Sequence, residues 1–530
     1  MDAVTTGKSQ IHHINNCGWV TPLGQVVITP HRGTARPKRK IRCLSTIGSG
    51  NDFTAHDNNV TNAVRALHER VFHVDLGDGL VPPPQPTAGI FEKLYKTTGR
   101  ALVKRTRACP PLNGDQFVAT YTGRRRRVYG QAKVDYENHG VSKLDAIIAL
   151  FCKTEKSNRS DKPDPAARCV QPRTPKYGFA LGRYIKPIEH NLFKGIARLC
   201  GGPTVMKGYN ARQQGKLFAQ TWFEFLRPVG IGLDASRFDQ HCSVPALKFE
   251  HQVYKAIMAA QLSNYERSEL AKLLNFQLDN EGRVYYENHK IKYKVKGCRM
   301  SGDMNTSLGN CVLMCCMIRQ MCHDLNITKW RLFNNGDDCT LIVEESDLSK
   351  VGTQTIKSWF VEYGYTMKVD QIVRELELIS FCQTSPVFEG PEDCDYIMCR
   401  NPRMALDKDL LTTKDASTEK KHNYYRDAIS KCGLALAGHL PILGSFYHAL
   451  GRNIGKIAKP IEMEFTGMDM LATGLTYKAQ SIGAKTRMSF YIAFGVTPDE
   501  QEALEEFYDA QTCSWQEPTE VIRFGQPEHA

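Results

Sequence analysis

The chain has 530 residues, 42% of them hydrophobic and 24% charged, which excludes a disordered tail or a fibre and leaves room for roughly three to four domain-sized pieces. Lys and Arg number 69 against 56 Asp and Glu, a formal charge of +13, an excess that favours a polyanionic partner without bearing on fold. The 18 cysteines contain no C-x-x-C pair, which excludes zinc modules with that spacing and a dense disulfide framework, and leaves the reading of a reduced intracellular protein with small, buried thiols.

The N-terminal MDAVTTGKSQIHH has no apolar core, so no secretory signal is expected. The first 50 residues carry seven basic residues, Lys8, Arg32, Arg36, Lys38, Arg39, Lys40 and Arg42, against the single acid Asp2. The run ARPKRKIR, Ala35 to Arg42, reads as a flexible solvated face, a grip on RNA phosphates or a targeting address. VPPPQP at Val81 to Pro86 predicts a semi-rigid linker that closes a basic N-terminal extension of residues 1–90. Helical patterns follow at Ile90 to Lys104 and Lys143 to Phe151, with a second basic run, Arg124 to Arg127, between them. Lys153 to Arg183 reads as a long basic irregular or hairpin segment.

From Val229 onward, short apolar runs alternate with helical patterns. VGIGLD and RLFNNGDDCTLIV predict strands, and Leu308 to Gln320 predicts a helix. Cys432 to Gly451 lacks Asp, Glu, Lys and Arg, but Pro441, His439 and His448 make it a poor membrane span. A pair of buried helices around a Pro-broken turn fits it better. Thr497-Pro498-Asp499-Glu500 is a capping signature opening an acidic helix to about Ala510.

Three features between Gly232 and Glu344 carry the chemistry. In GLDASRFDQH, Asp234 ends an apolar strand and Asp239 returns near the same mouth if the chain turns into a helix. In LFNNGDDCTLIV, Asn335-Gly336-Asp337-Asp338 is a hairpin signature with acids at its tip. Strand parity lets only one of these acids face a given partner strongly, and Asp337 is expected as the primary inward ligand, with Asp338 beside it. Two carboxylates ~4 Å apart repel by ~4 kcal/mol at an effective dielectric of ~20, a cost that divalent cations between them remove. Mg²⁺ suits such a site, and two ions ~4 Å apart suit in-line phosphoryl transfer. A lone Gly-Asp-Asp is otherwise an ordinary turn. The third feature is GCRMSGDMNTSLGNCVLM. Ser301-Gly302 lies in a Gly-rich turn before Thr306 and Asn310, which share a helix face. Asn310 offers an amide to a ribose hydroxyl.

Taken in order, D-x4-D (Asp234, Asp239), SG-x3-T-x3-N (Ser301, Gly302, Thr306, Asn310) and GDD resemble motifs A, B and C of viral RNA-dependent RNA polymerases. The wording SGDMNTSLGNC and the upstream KPDPAARCVQPRTPKYGFALGRYIKPIE are most similar to polymerases of tombusvirus-like plus-strand plant viruses, including umbraviruses. The resemblance covers roughly Tyr121 to Arg403 well and the first 90 residues hardly at all.

The resemblance implies an α+β right-hand polymerase, with fingers over residues 91–228 and an antiparallel palm over 229–400 that carries an inserted fingers segment at about 255–295. A mostly helical thumb with a C-terminal helix follows over 401–530. Asp234, Asp337 and Asp338 match the metal-binding aspartates, holding two Mg²⁺, with Mn²⁺ as a substitute. Asp239 and Asn310 match the pair that senses the ribose 2′-hydroxyl. Ser301, Gly302 and Thr306 match the loop and helix that hold template and nucleotide. Lys153, Lys156, Arg168, Arg173 and Arg183 resemble the basic motif lining the NTP channel. Lys368 in GYTMKVD resembles the lysine that protonates the leaving pyrophosphate, a surface lysine being the alternative. Ile379 to Gln383 resembles the strand that supports the growing 3′ end.

The implied partners are single-stranded template RNA, nascent RNA, NTPs and a viral membrane-targeting replication protein, with synthesis at membrane-associated complexes in the host cytoplasm. That protein is either supplied separately or part of a longer product containing this chain. A reverse transcriptase would use the same carboxylates, but Asp239 with Asn310 argues against it. A non-enzymatic RNA-binding or packaging protein explains the charge and leaves the separated aspartates without a purpose.

Overall fold

The computed structural model describes residues 18–48, 52–75, 79–455, 467–477 and 479–515. Lys8, Asp2 and the N-terminal MDAVTTGKSQIHH lie outside the described residues.

A four-stranded antiparallel sheet positions the carboxylates, its strands running Trp330–Asn335, Asp338–Glu344, Pro228–Ala235, Met367–Val373 across the sheet. In the central strand Val229, Ile231, Leu233 and Ala235 alternate onto one buried face, and Gly230, Gly232 and Asp234 share the other. The first face packs on the helices Pro175–Cys200, Val244–Met258 and Thr306–Asp324. The last of these is buried on nearly every side, and Cys311, Cys315, Cys316 and Cys322 serve there as small packing residues. The opposite face packs on the helix Ala211–Trp222 and the hairpin Thr384–Phe388/Tyr396–Arg400, where Phe218 stacks on Phe333 with ring centroids 3.9 Å apart. Covered on both sides, the two central strands, Pro228–Ala235 and Asp338–Glu344, read as nearly continuous apolar runs.

The N-terminal segment is not set apart as an extension. Strands Gly18–Thr21 and Gly24–Pro30 complete a second antiparallel sheet with His289–Lys296 and Asp279–Tyr285. Val26 and Ile28 thereby join a core with Ile291, Tyr293 and Val295, and Gly24–Pro30 covers the edge of His289–Lys296. Arg42–Cys43 pairs with Leu411–Thr412, far along the chain. The prolines are docked as well: Thr87 N donates to Glu362 O at 2.8 Å, and Pro84 and Pro86 lie against Gly364.

Several expected elements hold their places. Ile90 to Arg105 is helical throughout, with one π turn. Helices Glu419–Ala437 and Leu443–Gly451 flank Pro441, and no described helix is long and apolar enough to cross a membrane. Thr497 caps Pro498–Ala510 through a reciprocal box with Glu500.

Others differ. Lys143 to Phe151 is a short 3₁₀ turn and then extended chain, because Ile148 exchanges backbone hydrogen bonds with Glu281 and Arg283. Tertiary pairing outweighs the apolar run there. The basic segment stops being irregular at Pro175, where Thr174 caps a long helix through Tyr177 N. Gly123–His139 is a helix with only Ala132 buried, so it offers no apolar stripe to read. Ile379 to Gln383 is not a strand: Cys382 and Gln383, at φ 52° and 63°, turn the chain into Thr384–Phe388.

Candidate active site

Asp234 lies directly opposite Asp338 on one neighbouring strand and Lys368 on the other. Asn335 pairs with Asp338, so Gly336-Asp337 is the two-residue turn between them. Gly336 stands at φ 96°, a glycine-first hairpin turn that other residues resist. Asp337 is therefore exposed at the tip, and strand parity starts at Asp338. This corrects the expectation that Asp337 is the inward member facing Asp234.

The carboxylates act on one another. Burial, then Asp337, Asp234 and Asp370, pushes the Asp338 carboxyl up to about 6. Burial, then Asp337 and Asp370, also raises Asp234, against the opposing charges of Lys368 and Lys162. Among the described residues no group of three or more His, Cys, Asp or Glu side chains is by itself arranged to hold a metal ion. An open rim of two paired carboxylates and a third at the tip fits an ion that keeps its waters and shares substrate phosphates, as Mg²⁺ does.

Behind the rim, Asp239 sits in the short helix Phe238–His241 that follows the strand. Asn310 Nδ2 donates to Asp239 Oδ1 at 2.9 Å, while Arg299 Nε donates to Asn310 Oδ1 at 2.9 Å. The two bonds fix which way the Asn310 amide points. Arg299 is itself clamped by the buried Glu250, which also accepts from Asn305 at 2.7 Å. Burial raises the Asp239 carboxyl, with Asn310 and Arg299 opposing. The result is one carboxylate and one oriented amide, presented together beside the metal-type rim.

The loop before the long helix is held by internal bonds. Ser301 Oγ donates to Cys169 O at 2.9 Å, and Thr306 Oγ1 donates to Met300 O at 2.8 Å. A Cβ on Gly302 would lie 2.6 Å from Pro172 Cα, so only glycine lets the two segments touch. In this structure the two hydroxyls shape the loop.

The five basic residues divide. Lys153 and Arg168 both pair with Glu155, at 2.6 and 3.3 Å, and remain 45% and 62% exposed. Arg168 also bears electrostatically on Asp239. Three are committed inward, contrary to the expectation that all five line an NTP path. Buried Arg173 pairs with Asp303 at 2.6 Å and donates to Ala146 O and Asn280 Oδ1. Lys156 donates to Lys408 O and Leu411 O, and burial lowers it to about 8. Arg183 donates to Leu112 O and lies over the Tyr136 and Tyr184 rings. Arg173, buried with its donors satisfied locally, is thereby removed from service to a ligand, whereas Lys156 and Arg183 are half-buried. Lys368 is two-thirds exposed, 3.9 Å from Asp370.

Sequence patterns gave no sign of several supporting residues. Lys207 Nζ donates to Asn335 Oδ1 at 2.7 Å, Asn335 Nδ2 donates to Cys382 Sγ at 3.1 Å, and Cys382 Sγ donates to Asp338 Oδ2 at 3.4 Å. Lys162 and Asp370 bear on Asp234. Asp370 alone had a readable signal, since it lies two residues from Lys368 on one strand face. The ARPKRKIR run is anchored: Arg39 donates to His56 O and Cys152 O at 2.6 Å. With Arg36, Lys38, Lys40, Arg42 and Asp415 it lines a cleft of about 420 Å³.

A family model described as viral RNA dependent RNA polymerase matches residues 26–516. Over 481 residues the chain is 41% identical to the RNA-directed RNA polymerase of Tobacco necrosis virus (strain A), covering 90% of this chain and 65% of that protein. It is 40% identical over 490 residues to the RNA-directed RNA polymerase of Turnip crinkle virus, covering 91% and 61%. The corresponding protein of Melon necrotic spot virus is 38% identical over 484 residues, covering 90% and 59%. The chain therefore spans somewhat less than two thirds of the length of these curated relatives.

Proposed function

The chain belongs to the viral RNA-dependent RNA polymerase family, and from that membership we propose that it copies a plus-strand viral RNA genome by transferring nucleoside monophosphates from NTPs to an RNA 3′-hydroxyl. The observation that carries the reading is the direct cross-strand placement of Asp234 and Asp338, with the Asp239–Asn310 pair behind them. In the proposed layout the four-stranded sheet is the palm of a right hand. Residues 91–228 and the insertion near 255–295 form the fingers, and residues 401–530 the thumb.

Asp234, Asp338 and Asp337 would hold two Mg²⁺, with Mn²⁺ as a substitute. When bound, such ions activate the attacking oxygen and stabilise the leaving group. Asp239 has a carboxylate oxygen free of Asn310 that would accept from a ribose 2′-hydroxyl, while Asn310, fixed by Arg299, would bond the same hydroxyl. This selects NTPs over dNTPs and disfavours a reverse transcriptase. Lys153 and Arg168 are the outward cations suited to triphosphate, and Lys368, opposite Asp234, suits the leaving pyrophosphate. The proposed partners are single-stranded template, nascent RNA, NTPs and a viral membrane-targeting replication protein that brings synthesis to membrane-associated complexes in the host cytoplasm.

The test is primer-independent synthesis on a defined RNA by purified protein, with Mg²⁺ titrated and either NTPs or dNTPs supplied. Metal-dependent NTP incorporation is expected. Preferential dNTP use, or synthesis that survives Asp337→Ala, would overturn the reading.

A further inference from the structure

The segment that carries Lys153, Lys162 and Arg168 is closed at its base by two cysteines. Strands Phe151–Cys152 and Cys169–Val170 pair antiparallel, with Cys152 directly opposite Cys169. The neighbouring bonds fix which kind of pair this is. Lys153 N donates to Arg168 O at 2.7 Å, and Ala149 N donates to Pro172 O at 2.9 Å. Hydrogen-bonded positions alternate along such a ladder, so Cys152 and Cys169 form a non-hydrogen-bonded pair. Their peptide groups agree, since they bond outward: Cys152 N donates to Asn58 Oδ1 at 3.1 Å, Cys152 O accepts from Arg39 at 2.6 Å, and Cys169 O accepts from Ser301 Oγ at 2.9 Å. Residues in such a pair stand about 4.5 Å apart at Cα, with both side chains on one face. A disulfide spans about 4.4–6.8 Å between Cα atoms.

Both thiols are free. Cys152 is buried in the core that contains Ile148 and Tyr293, and Cys169 packs against that core half-buried. A hydrogen bond from Cys169 holds the Cys152 thiol below its ordinary range against the effect of burial, and the charges of Arg39 and Arg36 act in the same direction. The same bond, then burial, raises Cys169. Thiols elsewhere in the core differ: burial pushes Cys315 and Cys339 well up, which leaves them inert.

We infer that Cys152 and Cys169 are an oxidation site, at which a hydroperoxide closes a reversible cross-strand disulfide that clamps the base of the cationic segment. One sulfur attacks the peroxide O–O bond and becomes a sulfenic acid as the first water leaves. The other sulfur displaces that hydroxyl, and the S–S bond forms as the second water leaves. The sulfurs lose two electrons, the peroxide gains them, and both thiol protons end in water. A thiol reductant reverses the step by exchange. The expected Cα spacing lies at the tight end of the disulfide range, so the link belongs to the readily reduced kind. Its closure fixes the residues next to the two cysteines, Lys153 and Arg168, and the carbonyl of Cys169 that Ser301 bonds. None of this depends on whether the chain polymerises.

The test exposes the full, reduced chain to a low excess of hydrogen peroxide. The intact mass should fall by two hydrogens, and peptide mapping without reductant should find the Cys152 and Cys169 peptides joined. Dithiothreitol should restore both thiols. Pairing should run at least about tenfold faster than oxidation of any thiol on the helix Thr306–Asp324. Cys152→Ser and Cys169→Ser should each abolish the link. Hydrogen exchange at the amides of residues 153–168 should slow several-fold in the oxidised parent, and peroxide should leave it unchanged in either variant. A link between other cysteines, oxidation that spares this pair, or a link formed without slower exchange overturns the clamp. The parent chain alone decides these outcomes, so a variant that misfolds does not remove the test.

Discussion

Asp234 and Asp338 face each other across adjacent antiparallel strands, with Asp337 exposed at the turn between Asp338 and its hairpin partner Asn335. Acids in this arrangement destabilise the metal-free fold, and that cost has a definite pH signature. Asp338 is pushed up to about 6 in the folded chain, against about 4 for an unfolded aspartate. Between those values the folded state binds the extra proton, so stability falls as pH rises from about 4 to 6 and the penalty is complete above it. Asp338→Asn should therefore stabilise metal-free protein at pH 7.5 by on the order of 2 kcal/mol, with no gain at pH 4. Paired denaturant titrations check this, and an equal gain at both pH values would contradict it. Added Mg²⁺ should narrow the difference by stabilising the parent alone.

Asn310 is held by Arg299 on one side and bonds Asp239 on the other. Asn310→Ala should lower the preference for ATP over dATP by up to about tenfold, the upper end of what one neutral hydrogen bond is worth. It should also leave incorporation of dATP near the parent rate. Single-nucleotide kcat/KM values for both substrates check this. An equal loss for both would mean that Asn310 supports only the fold.

Gly302 touches Pro172 so closely that a methyl group would lie 2.6 Å from its Cα. Gly302→Ala should push the Gly297–Asn305 loop away from residues 169–173, costing about 1–3 kcal/mol of stability. Ser301 would then lose its bond to Cys169 O. Synthesis should drop more than RNA affinity does, as initial rates beside anisotropy would reveal.

The legible parts of this fold were those whose signal is local. The strand at Val229–Leu233, the hairpin around Asn335–Asp338, the helix at Leu308–Gln320 and the capped helix after Thr497 each carry alternation, period or a cap within a few residues. The illegible parts depend on remote partners or lack a pattern. Strand Gly24–Pro30 exists because Val26 and Ile28 fit beside His289–Lys296. The helix Gly123–His139 has no apolar face to betray it. The same division runs through the site: the acids stood out by spacing, whereas Glu250, Arg299, Lys207 and Cys382 matter only through what they touch.

Arg168 and Arg173 make that division testable, since they sit on the same short stretch of chain and composition treats them alike. Arg173 is buried against Asp303, so Arg173→Gln strands a buried carboxylate and should cost about 3–5 kcal/mol of stability. Arg168 is 62% exposed, shares Glu155 with Lys153 and reaches Asp239 only through its field. Arg168→Gln should leave the denaturation midpoint within experimental error and raise KM for NTPs several-fold, as the loss of one outward cation implies. Melting curves and steady-state kinetics on both variants separate the two roles. A destabilised Arg168→Gln with unchanged KM would return that residue to the scaffold and leave Lys153 and Lys162 as the cations to examine on the nucleotide's path.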